Sequence, residues 1–195
     1  MKMQSMLAAP IAAAAILVPA VAQAHPGHAL AAYPLLSGVL HPLTGTDHLA
    51  AMVLVGMWSG TLPGKSRWAP PAAFVGAMVA GFGLALSGAG LGGFTGSAEW
   101  GIVLSVLVLG CIVALRLRAS LATACAVTGA FGMAHGMAHG LEAPGQGLAN
   151  FAAGFIASTA VLHILGVQIA RRMPSGWVRG LGVAGAALGV MLAAG

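Results

Sequence analysis

The sequence predicts an all-α fold: a polytopic membrane helix bundle with six transmembrane helices after a cleaved signal peptide, the first helix broken. Three observations lead there. The 195-residue chain is 59% hydrophobic and 6% charged, with a mean hydropathy of +0.96, whereas a soluble domain carries roughly 25% charged residues. Six apolar stretches follow the leader, each close to or above the ~20 residues that cross the hydrocarbon core of a bilayer. Every Lys and Arg after Lys2 falls in alternate connections between those stretches, as expected when cationic loops stay on the cytoplasmic side.

Residues 1–24 combine Lys2, an apolar run from Leu7 to Val18 and the small-x-small site Ala22-Gln23-Ala24, which is the pattern of a secretory leader. Cleavage there makes His25 the first mature residue and leaves 25–195 as one six-helix domain. The alternative, an uncleaved first helix, is weakened by Pro10 and Pro19, which bracket a run shorter than the ~20 residues of a span. Residues 29–60 are longer than one span needs, and the excess fits an interrupted helix. Lys65 and Arg67 mark the first connection, before a second span at 69–87. A Gly-rich turn without basic residues leads past Glu99 to the third span, 100–115, which ends at Arg116 and Arg118. The fourth span is 121–140, followed by a turn holding Glu142, and the fifth is 148–170. Arg171, Arg172 and Arg179 crowd the last connection before the sixth span, 177–194. This order places both mature ends in the periplasm of a bacterial inner (cytoplasmic) membrane.

Gly76, Gly81, Gly83, Gly182, Gly185 and Gly189 recur at spacings that let helix backbones approach, and are read as packing within one chain. Oligomeric state is not legible from them. Cys111 and Cys125 lie in predicted spans without CxxC spacing and read as packing residues. Net charge +5 reflects short cationic loops, with none of the groove-reading or stacking elements of a nucleic-acid binder. No Walker motif, nucleophile motif or H-E-x-x-H is present, so the chain is read as a non-enzyme.

What remains is a polar constellation in apolar surroundings. His41-Pro-Leu-Thr-Gly-Thr-Asp47-His48 puts two imidazoles and a carboxylate inside the first span, where a charged group costs about 2.5–3.5 kcal/mol or more. Pro42 and Gly45 loosen the helix there, and loosened backbone at membrane depth must line a cavity or be buried in protein. In His135-Gly-Met-Ala-His139-Gly-Leu-Glu142, the i, i+4, i+7 spacing shares one helix face. His163 follows Ser158 and Thr159 in the fifth span; at ~1.5 Å per residue it lies ~22 Å from Leu148, deeper than the other imidazoles. A lone membrane His often serves as an interhelical hydrogen-bonding group, and Glu142 and Glu99 also read as solvated helix-end residues.

Imidazole and carboxylate suit divalent ions such as Ni, Co, Zn and Cu(II). The spacing favours a principal site of Asp47, His48, His135 and His139, with His41 a gateway ligand or a partner gained by unwinding of 42–45. His25 and His28 at the mature start form a weak metal collector. Secondary transport of a divalent metal ion is the leading function. Its alternatives are a metal-binding protein that does not transport and a membrane haem protein with His axial ligands. The first and fourth spans each carry two His and an acid in opposite directions, which also suggests an inverted repeat of three helices.

With H-P-G-H at the mature start, H-P-x-x-G-x-D-H in the first span, H-G-x-x-H-G-x-E in the fourth and S-T-x-x-L-H in the fifth, the sequence resembles the HupE/UreJ family over essentially its whole length. The resemblance implies a nickel or cobalt permease with no prosthetic group, associated with hydrogenase or urease maturation proteins. It also implies metal binding at His41, Asp47, His48, His135, His139, Glu142 and His163.

Overall fold

The computed structural model describes residues 32–88 and 95–195; the expected leader and cleavage site, with His25 and His28, lie outside the described residues. Seven α-helices and no strand are found among them: α1 (Pro34–Thr44), α2 (Thr46–Gly60), a 3-10 turn (Gly64–Trp68), α3 (Ala69–Leu86), α4 (Thr95–Leu115), α5 (Leu121–Leu141), α6 (Leu148–Arg172) and α7 (Ser175–Ala193). Local chemistry sets several starts. Pro34 opens α1, and Pro70 and Pro71 sit in the first turn of α3, where a fixed φ is favourable and no N–H is missed. The Ser120 hydroxyl caps α5 by accepting the Thr123 N–H at 3.1 Å, a contact worth about 1 kcal/mol.

Five segments, Gly64–Leu86, Ala98–Leu115, Leu121–Leu141, Leu148–Arg172 and Ser175–Ala193, are long and apolar enough to cross a membrane. The sixth apolar stretch is split: α1 has 11 residues and α2 has 15, each short of the ~20 a span needs. The bundle is apolar outside, and its few buried polar groups lie within a largely apolar core. Leu115, Val161, Val183 and Val190 are more than half exposed, while His135, His139, Thr159 and His163 are buried. An apolar exterior with the polar groups turned inward is what a hydrocarbon solvent selects, since intramembrane polar groups face the bundle interior.

Helices associate in three sets: α3 packs chiefly on α5, α4 on α7, and both α1 and α2 on α6. Exchanging α1–α2, α3 and α4 in order with α5, α6 and α7 leaves this pairing unchanged, a symmetry that the expected inverted repeat would share. Close approach at glycine fastens each set. A Cβ on Gly136 would stand 2.0 Å from the Met78 carbonyl oxygen, and one on Gly166 2.1 Å from that of Val53. Of the six glycines read as intramolecular packing, Gly81, Gly182, Gly185 and Gly189 do pack this way. Gly76 and Gly83 do not, because an added Cβ there meets nothing within 4 Å. They lie on the outer surface of α3, which is as apolar as its inner one. Gly136→Ala is therefore expected to force α3 and α5 apart, costing about 1–3 kcal/mol or more; thermal unfolding in detergent measures it, with Gly76→Ala as the neutral comparison.

Thr61, Arg116, Met173 and Ser175 line a single cavity of about 230 Å³, so the ends of α2, α4 and α6 and the start of α7 share one side of the bundle. The cationic residues gather there. Arg179, in the first turns of α7 instead of the connection before it, donates from Nε to the Ala114 carbonyl at 3.2 Å.

Candidate metal centre

The site begins with the break between α1 and α2. Pro42 cannot donate a backbone hydrogen bond, and the Thr44 hydroxyl turns back to the His41 carbonyl at 3.1 Å. Gly45 is extended, with φ −83° and ψ 117°, and α2 starts immediately after it. On an unbroken helix His41 and His48 would be ~10.5 Å apart along the axis; across this break their ring centroids are 5.6 Å apart. Gly45 is needed for contact as well as for bending. A Cβ there would lie 2.9 Å from both Asp47 Oδ1 and His48 Nδ1.

Asp47 occupies the first turn of α2, where the helix dipole favours a carboxylate. Its Oδ1 accepts the His48 backbone N–H at 2.8 Å and the His48 Nδ1–H at 2.7 Å. This fixes the tautomer of His48 and leaves its Nε2 without a hydrogen-bond partner. A carboxylate behind an imidazole is the usual support of a metal-binding histidine. From α5, His135 donates Nδ1–H to the Phe131 carbonyl at 2.9 Å and likewise leaves Nε2 unpartnered. His139, one turn on, has neither ring nitrogen hydrogen-bonded.

These rings converge. His139 is 4.5 Å from His41 and 4.6 Å from His48 between ring centroids, and His48 is 5.4 Å from His135. One ligand atom from each of His41, His48 and His139 lies within 4.8 Å of the other two. Imidazoles on a tetrahedral ion with ~2.0–2.1 Å bonds place their nitrogens about 3.4 Å apart, so an ion bound here would draw the three rings closer together. Among the described residues, the buried side-chain polar atoms without a partner all belong to His48, His135, His139, Thr159 and His163. The buried hydroxyls of Ser59, Ser105 and Thr128 each donate to a carbonyl one turn back, Ser59 to that of Val55 at 2.7 Å.

The arrangement differs in two respects from the site expected of Asp47, His48, His135 and His139. His41 joins the group of three, because the chain bends at Gly45. Asp47 directs Oδ1 at His48, and His135 stands beside the group, nearest His48. Glu142 is exposed at the C-terminal cap of α5, one turn beyond His139. His163 is buried on α6 and is not part of the three-imidazole group. Glu99 is exposed, as its isolation in sequence suggests.

Sequence reasoning passed over the aromatic wall. Phe155 lies 4.3 Å from His139, and Phe151 5.9 Å from His41, by ring centroids. Their signal was available: Phe151, Phe155, Thr159 and His163 follow one another at i, i+4 on α6, a single helix face. Phe74 of α3, buried against both His135 and His163, had no comparable signal.

Membrane-length helices closing around three convergent imidazoles define a polytopic bundle with a candidate transition-metal centre. The profile of the HupE / UreJ protein family matches residues 13–192, and the chain belongs to that family. Protein HupE of Rhizobium leguminosarum bv. viciae is 38% identical over 162 residues, which cover 80% of this chain and 80% of that protein. No solved structure matches the chain.

Proposed function

We propose that the protein is a secondary permease for a divalent transition-metal ion, nickel first and cobalt second, with the ion as cargo. The observation that supports this best is the approach of His41, His48 and His139 within 4.8 Å at the bundle interior. Three imidazoles on one centre favour a bare ion over haem, which takes at most one protein ligand on each face. Nitrogen-rich sites of this kind suit late first-row metals.

In this reading α1 and α2 together form a sixth, broken span, and the leader is removed before His25. The cationic side faces the cytoplasm, and both mature termini face the periplasm. His25, His28 and Glu142 collect the ion at the periplasmic mouth. His41, His48 and His139 then take it from water, with Asp47 offsetting its charge and His135 alongside. His163 receives it deeper in the bundle. An inside-negative potential drives each positive charge inward by ~2.3 kcal/mol per 100 mV. The cytoplasmic recipients are nickel-enzyme maturation proteins.

Proteoliposomes of purified protein test the reading. Nickel flux into vesicles, saturable and increased by an inside-negative potential, is expected. Tight nickel binding with flux no faster than protein-free vesicles would instead make the chain a metal-binding protein that does not transport.

A further inference from the structure

We infer that Phe74 is a side-chain plug between two successive stations for the cation: the outer imidazole group with His135, and an inner station made by His163 and Thr159. The direction of passage rests on the permease reading; the separation of the stations does not.

The Phe74 ring is fully buried. Its centroid lies 5.2 Å from that of His135 and 5.1 Å from that of His163, the latter edge-on at 88°. His135 belongs to α5 and His163 to α6, so this one ring spans the gap between the two helices. Polar atoms free of hydrogen-bond partners belong to both histidines that it touches, Nε2 of His135 and both ring nitrogens of His163, and to Thr159, one turn before His163 on α6. Thr159 and His163 are one turn apart on α6, so their polar atoms share a face. An ion held by nitrogen and oxygen on one side of the ring has no ligand in the ring itself. An apolar constriction of this kind holds back a hydrated ion until it opens.

The backbone that carries the plug is fastened. A Cβ on Gly132 would stand 2.2 Å from the Phe74 carbonyl oxygen, so α3 already touches α5 at this residue and has no slack along that contact. Opening therefore falls to rotation of the Phe74 side chain, a smaller motion than parting the helices. The inner station is closed to the periplasmic side while the ring is in place. Truncating the ring joins His135, His163 and Thr159 in one polar void, roomy enough for water.

The test reads access to position 163 directly and requires no transport. Cys111 and Cys125, the free cysteines among the described residues, are replaced by Ser, and His163→Cys is introduced. A small cationic methanethiosulfonate reagent is added from the periplasmic side of intact cells. With Phe74 present, labelling should be slow; adding Phe74→Ala should speed it about tenfold or more, because the wetted void replaces the constriction. Phe74→Tyr should keep it slow. Equal rates with Phe74 and Phe74→Ala would overturn the plug. A Val106→Cys reporter in the core of α4, fully buried, shows whether the fold is kept. If that reporter also becomes reactive, Phe74→Leu decides: its smaller loss of volume should give an intermediate rate, and a rate equal to that with Phe74 overturns the proposal. Accelerated labelling in a protein without metal flux would leave the plug standing and remove the permease reading instead.

Discussion

Asp47→Asn is expected to weaken nickel binding about 10–100-fold, the usual cost of removing the group behind a metal-binding histidine. One carboxylate oxygen of Asp47 accepts both the backbone N–H and the Nδ1–H of His48, at 2.8 Å and 2.7 Å. An Asn side chain fills the same volume and its carbonyl can accept one or both of these bonds, but it carries no charge. His48 loses basicity, its ring is less firmly aimed at His41 and His139, and the ion loses a compensating anion. Insertion should not suffer, since the substitution removes a charge from the membrane interior. Calorimetric titration of purified protein with nickel measures the affinity, and uptake at matched membrane abundance measures the consequence. Parental affinity and uptake in Asp47→Asn would take this carboxylate out of the mechanism.

His139→Gln should be more damaging still. His139 faces both of the other imidazoles of the group, at 4.5 Å and 4.6 Å between ring centroids, and packs on Phe155. Gln approximates its bulk and polarity but supplies no imidazole nitrogen, so the group falls from three donors to two. The loss should exceed the ~10–100-fold cost of an outer-sphere change, leaving uptake at background. His135→Gln, beside the group, should cost less. Nickel titrations of the two variants rank them, and an equal or reversed order would contradict the grouping of His41, His48 and His139.

The class of the fold was legible because bilayer thickness imposes a length on each apolar segment, and loop charge marks the ends; both are properties of a string. The break in the first helix was legible for the same kind of reason. Pro42 and Gly45 act on the backbone locally, whatever surrounds them. So was the pairing of His135 with His139 on one face, which follows from helical pitch alone.

Which groups meet was decided only in three dimensions. His41 reaches His48 and His139 through the bend at Gly45, and no periodicity in α1 or α2 specifies that angle. The choice of Asp47 to face His48 is a rotamer made beside a glycine that leaves room for it. Phe74 sits against His135 and His163 because α3 presses on α5 at Gly132, a contact between residues far apart in sequence. Gly76 and Gly83 look like Gly81 in sequence and differ only in which way they point. In water the buried face of a helix announces itself by being more apolar than the other. In lipid both faces are apolar, so the sequence by itself determines that these helices form and how far they reach, while the side each turns inward is settled by glycine contacts and by the few polar groups that cannot face hydrocarbon.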